Sequence, residues 1–328
     1  MQKRKIKAIE KELPPIIVGT TNPILGDPSH FFAPRPDRTE IFYLLDELWE
    51  MGLNMYDCAA HYGEPGIGEY LAGRSRQDAV IVTKCAHPNG YRNRVTPFDM
   101  ESDLHDSLAK LRTDHIDIYL LHRDDPQVPV SVVMETMNRF CREGKISAFG
   151  ASNWTVARIR EANDYAAANG LIPFTVNSPN YGLAHQVADP WGGGCTTLTG
   201  PENESARQWH LDNHMPVLAY SSLARGFFSG RFRSNEPDKA EKVLDMPAKR
   251  GYYCPENMER LARAERLAEK YNCTVAGIAL GWMFHQELDV FPILSGSSAQ
   301  RYQEALQAAD IPLTEKEVAW LDLRDEIV

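Results

Sequence analysis

The chain has 328 residues, 43% of them hydrophobic, and a formal net charge of −10. That length suits one α/β barrel domain with a large core, and the acidic balance argues against nucleic acid or an anionic membrane as a partner. No apolar run approaches the roughly 20 residues that span a bilayer, the basic N-terminus lacks a signal peptide's apolar stretch, and six cysteines without a CxxC pair favour reduced thiols in a cytoplasmic protein.

Taken in order, IIVGTT (16–21) reads as a first strand ending at Gly19 and Thr20. A helix follows, with Asp37 and Glu40 spaced as a capping box and Ile41, Leu44, Leu45 and Leu48 at helical intervals until Gly52. Leu53, Met55 and Tyr56 form a short apolar strand that ends in Asp57, and Tyr62 and Gly63 lie in the loop behind it. AVIVTK (79–84) is a near-continuous apolar run, the pattern of a strand buried on both faces. Thr96-Pro97 opens a helix carrying Leu104, Leu108 and Leu111 on one side.

IDIYLL (116–121) is a strand ended by His122. A helix over 131–143 follows, then strand ISAFGA (146–151) running into Ser152-Asn153. After a helix over 155–169, a strand over 174–177 runs into Ser178. The Gly-rich DPWGGGCTTLTG precedes a helix over 202–214, and strand 216–220 leads into SSLARGFFSGRF. Beyond a long insertion the spacing predicts helices near 256–271 and 274–285, a strand over 290–294, and two closing helices near 298–308 and 314–325.

Eight strands alternating with helices imply parallel strands with right-handed crossovers. The fold expected is a single (β/α)8 TIM barrel domain over 1–328, with two C-terminal helices and long loops at the C-terminal face. An open doubly wound sheet would need a dinucleotide fingerprint, and IIVGTTNP contains no GxGxxG. In such a barrel the chemistry sits past the strand ends. Here these are Thr20, Asp57, Lys84, His122, Ser152-Asn153, Ser178, Tyr220 and Ser297. Polar residues also begin ordinary loops, so one such position means little. Lys84 means more, because a charge directly behind a buried strand needs a partner or a shifted pKa.

Asp57, Tyr62, Lys84 and His122 come from neighbouring strand ends and can converge. A free phenol, with a pKa near ~10, gives up its proton reluctantly. An ammonium beside it stabilises the phenolate and lowers that value. Lys84 supplies the ammonium, Asp57 holds the lysine, and His122 can hydrogen-bond the oxygen being reduced. The set suits protonation of a carbonyl oxygen while hydride reaches the carbon. None of these side chains is a hydride source, so a nicotinamide cofactor is implied.

NMYDCAAHYG, IVTKC, IDIYLLHRDDP and GKISAFGASNW together resemble the aldo-keto reductase family, in family order from about Gly19 to about Leu323. HRDDP, GASNW, WGGGC and SSLARGFFSGRF are most similar to bacterial members of undefined substrate. The resemblance implies a (β/α)8 barrel that binds NADP(H), with NAD(H) as the alternative, and an activity that reduces an aldehyde or ketone, sugar-derived carbonyls included, to an alcohol. Tyr62 is then the general acid, Lys84 tunes it, Asp57 pairs with Lys84, and His122 orients the carbonyl. The strand end Gly19-Thr20 and Asp57 fall among the implied cofactor contacts. Ser152 and Asn153 match the pair on the nicotinamide carboxamide, and Tyr220 matches the ring stacked on the nicotinamide. Ser221, Leu223, Gly226 and Arg231 match the pyrophosphate segment. Ser295, Ser297, Arg301 and Glu304 match the segment at the 2′-phosphate and adenine. There are departures: Ser178 replaces a usual glutamine, Ser295 a glycine and Ala305 an asparagine, and Ser297 stands where a cation is common. One guanidinium, that of Arg301, is left for a 2′-phosphate.

His61 faces substrate or merely packs. Tyr181, Trp191 and Phe228 line an apolar pocket or anchor their loops. Cys58 and Cys85 flank the four-residue set and are expected to be buried and inert. The charged EPDKAEKVLD (236–245) is surface or a lid. Two other classes compete with the reductase. One is a non-catalytic or weakly catalytic NADP(H)-binding barrel like the potassium-channel β subunits. The other is a metal-dependent hydrolase using His61, Asp57, Lys84 and His122, disfavoured because no HxH pair is present; no metal site is expected. The expected partner is a small carbonyl compound. Oligomeric state stays open.

Overall fold

The computed structural model describes residues 4–27 and 34–324. Eight parallel strands follow one another in a closed barrel: β1 (Ile17–Gly19), β2 (Met55–Asp57), β3 (Val80–Cys85), β4 (Ile116–Leu121), β5 (Ile146–Ser152), β6 (Asn177–Ser178), β7 (Val217–Ala219) and β8 (Val290–Leu294). The contacts gather into two compact units, Met1–Ser178 with Ser295–Ala299 and Pro179–Leu294 with Gln300–Val328.

The first unit carries β1 to β6 with helices α1 (Thr39–Glu50), α2 (Glu64–Leu71), α3 (Pro97–Leu111), α4 (Val130–Arg142) and α5 (Val156–Ala168). Every residue of β3 and β4 is buried, as their unbroken apolar runs require when both sheet faces are covered. Asp57 pairs with Val82 and with Gly19, and Lys84 with Leu120, so these strand ends lie side by side. β5 passes close to the chain entering β6. A Cβ on Gly150 would stand 2.0 Å from the carbonyl oxygen of Val176, which only glycine avoids. The second unit carries α6 (Glu204–Asp212), β7, α7 (Pro237–Val243), α8 (Met246–Tyr252), α9 (Pro255–Lys270), α10 (Val275–Phe284), β8, α11 (Ala299–Gln307) and α12 (Glu315–Leu321). Thr314 and Glu317 close a capping box at α12, each satisfying the other's backbone N–H.

Several expectations change. No Asp37–Glu40 capping box forms: Asp37 accepts from the N–H and hydroxyl of Thr39, and α1 starts after Arg38. The strand expected over 174–177 is two residues, Asn177 and Ser178. The insertion after β7 is not plain loop, since α7 and α8 fill it. The helix α2 was unsignalled, because Pro65, Gly66 and Gly68 dilute its propensity. Gly68 is there for packing, as a Cβ would meet the carbonyl of Lys110 at 2.1 Å. The last helix stops at Leu321, and residue 325 lies outside the described residues.

Candidate active site

β2 delivers Asp57 as its last residue and β3 delivers Lys84 as its last but one. His122 follows β4 directly, its N–H donating to the Cys85 carbonyl at 2.8 Å. Tyr62 comes from a tight turn in which Ala59 and Tyr62 exchange both backbone hydrogen bonds, at 3.0 and 2.9 Å. The turn ends at Gly63, whose φ of +80° suits glycine and whose Cβ position lies 1.8 Å from the Thr20 hydroxyl. Thr20 is fully buried, its hydroxyl donating to the Asp57 carbonyl at 2.7 Å. Thr20 therefore straps Asp57 in place and does not line the mouth.

Lys84 Nζ is the hub. It donates to Asp57 Oδ1 at 2.7 Å, to the Cys58 carbonyl at 2.8 Å and to the Tyr62 hydroxyl at 2.8 Å. These use all three ammonium protons. The Tyr62 hydroxyl lies 3.4 Å from Asp57 Oδ2, so its own proton is weakly held. Burial opposes the Lys84 charge, but Asp57 and Tyr62 outweigh it and raise its pKa. Burial is also the largest influence on Tyr62, and with Asp57 it pushes the phenol up despite the pull of Lys84. The expected net lowering of the Tyr62 pKa is thus corrected: the lysine acts in the stated direction, and burial exceeds it. At neutral pH the group is a protonated phenol.

Ser152 is buried and donates to the Ser178 carbonyl at 2.8 Å. Asn153, with φ of +61°, donates from its amide to the His122 carbonyl at 3.2 Å. Gly19 is half-buried, and Ser295 is exposed with its hydroxyl 3.2 Å from that of Thr21.

In the second unit Tyr220 is half-buried and donates to the Thr196 carbonyl at 3.1 Å. Behind β7, Ser221, Ala224, Arg225 and Gly226 have positive φ. Ala224, Arg225 and Gly226 are consecutive left-handed residues, and the N–H groups of Ala224 and Gly226 donate back to the Ser221 and Leu223 carbonyls at 2.7 and 3.0 Å, which closes the segment as a tight turn. Arg231 is exposed, bonds Ser229 at 3.1 Å, and its charge helps to hold the Asp245 carboxyl below its usual value. Arg301 is likewise exposed and is unpaired among the described residues. Leu223 and Glu304 are half-buried, and Ser297 is exposed.

The aldo/keto reductase family model matches residues 15–325. The chain belongs to the aldo/keto reductase family. An aldo-keto reductase, str7, of Strobilurus tenacellus is 28% identical over 89% of this chain and 83% of its own. A norsolorinic acid reductase of Aspergillus flavus is 26% identical over 87% of this chain and 71% of its own. An aryl-alcohol dehydrogenase of Pestalotiopsis microspora is 25% identical, over 84% and 70%. The crystal structure of the thermostable aldo-keto reductase Tm1743, in complex with the inhibitor epalrestat, superposes with a TM-score of 0.71 over 99% of this chain and 100% of that one, at 23% identity. That likeness carries the barrel fold. The protein is thus an oxidoreductase of a family that generally uses nicotinamide cofactors.

Two pocket expectations of this aldo/keto reductase are corrected. Tyr181 is 1% exposed and packs on Trp282 at 5.7 Å between ring centroids; Phe228 is 0% exposed and packs on Phe227 at 5.4 Å. Both anchor loops. Trp191 remains exposed, its ring 6.1 Å from Tyr220. Cys58 and Cys85 are buried, and burial pushes both thiols up, which leaves them inert. No helix among the described residues is long and apolar enough to cross a membrane.

One residue beside the reductase site escaped sequence reasoning. His87 stands two residues beyond β3, and its ring lies 4.6 Å from that of His61 and 4.8 Å from that of His122. His61 and His122 stack at 5.2 Å. Burial, then the charge of His87 and of Lys84, holds His61 down at about 4. Burial, with Lys84 and the other two imidazoles, keeps His122 well below the ordinary histidine value. The signal available was a histidine just past each of three consecutive strands.

Proposed function

We propose that the protein is an NADP(H)-dependent reductase of aldehydes or ketones, with Tyr62 as the acid that protonates the carbonyl oxygen. The observation that carries this reading is the three-way bonding of Lys84 to Asp57, Cys58 and Tyr62. It fixes the phenol, neutralises the carboxylate, and sets a positive charge where the phenolate develops. The neutral imidazole of His122 can donate a hydrogen bond to the same oxygen without adding charge. The nicotinamide, when bound, supplies the hydride.

The residue types in each unit suit that cofactor. In the first unit Ser152 and Asn153 would take the carboxamide; in the second, by the resemblance, Tyr220 would take the ring. The tight turn at 221–226, with Leu223 and Arg231, would lie along the pyrophosphate. Ser295, Ser297 and Glu304 would lie along the adenosine. The exposed guanidinium of Arg301 favours the phosphorylated cofactor over NAD(H). The relatives' names favour an aromatic carbonyl within the broader aldehyde and ketone class, which includes sugar-derived ones. The reaction needs the nicotinamide cofactor and this small molecule, in a cytoplasmic setting.

The test is Tyr62→Phe, assayed at the nicotinamide absorbance band against aromatic and sugar-derived carbonyls with NADPH and with NADH. Turnover should fall while NADPH affinity holds. A variant as fast as the parent overturns the acid assignment. Saturable NADPH binding by the parent without turnover of any carbonyl would instead favour a nucleotide-binding barrel without catalysis.

A further inference from the structure

Three histidines from three consecutive strand ends meet in the first unit, and the reaction proposed above engages only His122. We propose that His61, His87 and His122 form a three-imidazole site for a divalent transition-metal ion of the zinc type, and that filling it switches carbonyl reduction off.

Their candidate ligand atoms all lie within 4.8 Å of one another. Tetrahedral zinc with Zn–N bonds near 2.1 Å spaces its ligand atoms about 3.4 Å apart. The remaining gap is within reach of small rotations, above all for His61, which is exposed and sits in a loop. Imidazole nitrogens suit zinc, copper and nickel rather than magnesium or calcium.

Two details point to a ligand rather than to simple ring packing. His87 Nδ1 lies 2.8 Å from the Pro88 carbonyl oxygen. A carbonyl only accepts, so Nδ1 carries the proton and Nε2 presents its lone pair. A ring held by a backbone carbonyl on its far nitrogen is the usual outer support of a metal-binding histidine. The second detail is His122 Nδ1, which is buried and has no hydrogen-bond partner among the described residues. Buried polar atoms are nearly always satisfied, and an orphan calls for a partner. The Lys84 ammonium, which disfavours protonation of His61 and His122, also opposes a cation here, and its pair with Asp57 at 2.7 Å offsets part of that repulsion. Three protein ligands leave a fourth position for water. An ion there would occupy the imidazole of His122 and withdraw it from the carbonyl oxygen, which makes the metal an inhibitor.

The binding arm of the test stands apart from the proposed reaction, and the inhibition arm rests on it. The full chain, stripped with EDTA, is titrated with zinc chloride alone by calorimetry, and with cobalt(II) chloride as a spectral probe. One ion per chain is expected, at micromolar Kd or tighter, with intense visible cobalt bands of a tetrahedral site and no thiolate charge-transfer band. His87→Ala should weaken zinc at least tenfold, yet reduce carbonyls in EDTA within twofold of the parent. Zinc that stops the parent should leave this variant active. His87→Gln, with circular dichroism of both variants, guards against misfolding. Zinc binding unaltered by either folded variant overturns the site, as does a thiolate band or no saturable binding by the parent. Tight binding at the three histidines with turnover unaffected or raised overturns the off-switch.

Discussion

Among the buried carboxylates that cations clasp in the first unit, Asp117 and Asp57 serve opposite ends of the strands. Asp117 is the second residue of β4. Lys11 bonds its Oδ1 at 2.7 Å, Arg76 bonds its Oδ2 at 2.7 Å, and the Ile81 N–H adds a third bond at 2.9 Å. Every group there is spoken for by another fixed group. Asp57, at the far end of β2, is clasped as tightly by Lys84. Yet its cluster ends in a phenol whose proton has only a 3.4 Å neighbour. Buried ion pairs alone therefore do not mark a functional site. A cluster becomes chemical when one member keeps a proton it can release, at the strand ends where loops admit a ligand.

The sharpest way to break the comparison is Tyr62→Phe. It removes the releasable proton and leaves the Lys84–Asp57 pair intact. We expect kcat/KM to fall about 10³-fold, within the range for a lost general acid and worth about 4 kcal/mol of barrier. The urea midpoint should stay at the parent's value. A large loss of stability with little loss of rate would mean that this cluster, too, is structural.

Asp117→Asn is the mirror experiment. Removing one partner from a buried pair leaves uncompensated cations, at a cost on the order of 3 kcal/mol. The expected result is a lower urea midpoint at pH 7 with kcat within twofold of the parent at 25 °C. Its pH dependence has a definite sign. Burial opposes ionisation, but Arg76 and Lys11 hold the Asp117 carboxyl below its usual value. Its contribution is then fully present above the unfolded pKa of about 3.9 and is lost as pH falls further. Below that range, parent and variant midpoints should converge.

Thr20→Val probes the strap on Asp57 with a smaller effect. The substitution keeps volume and removes the 2.7 Å bond to the Asp57 carbonyl. The carbonyl still accepts from the Thr20 N–H at 3.2 Å. We expect about 1 kcal/mol lost and a fall in kcat of a few-fold, read from denaturation and steady-state rates. An unchanged kcat would make the strap purely structural.

Much of this site was legible in the sequence because strong patterns ended abruptly. The run AVIVT buries a strand on both faces, so the lysine behind it had to be partnered, and Asp57 and Tyr62 stood at the neighbouring end. His87 was not legible in the same way. It lies two residues past β3, in AHPNG, where the apolar run no longer says which way a side chain turns. Tyr181 and Phe228 were open between pocket and anchor, since a loop's pattern does not tell which side chains turn inward. Helix α2 was hidden by glycines that its packing demands. The net effect on Tyr62 was missed because composition shows the lysine's charge and not the depth of burial that exceeds it.

The smallest effect separates the two regions by pH. His61 titrates at about 4, against about 6.5 in an unfolded chain. Burial is the main cause, and the charges of His87, Lys84, Arg123 and Lys110 push the same way. Between those two values the unfolded chain binds a proton that the folded chain refuses, so stability rises with pH across this window and falls on acidification. His122, also held low, adds to the same slope. His61→Asn should therefore flatten, without abolishing, the fall in urea midpoint from pH 6.5 to pH 4.5. Asp117→Asn should lower the whole curve across this window without changing its slope, and change the slope only below it. The histidine cluster and the Asp117 clasp would then be read in adjoining pH windows of one titration. Parallel curves for parent and His61→Asn would mean that the partial burial of this otherwise exposed ring does not lower its proton affinity.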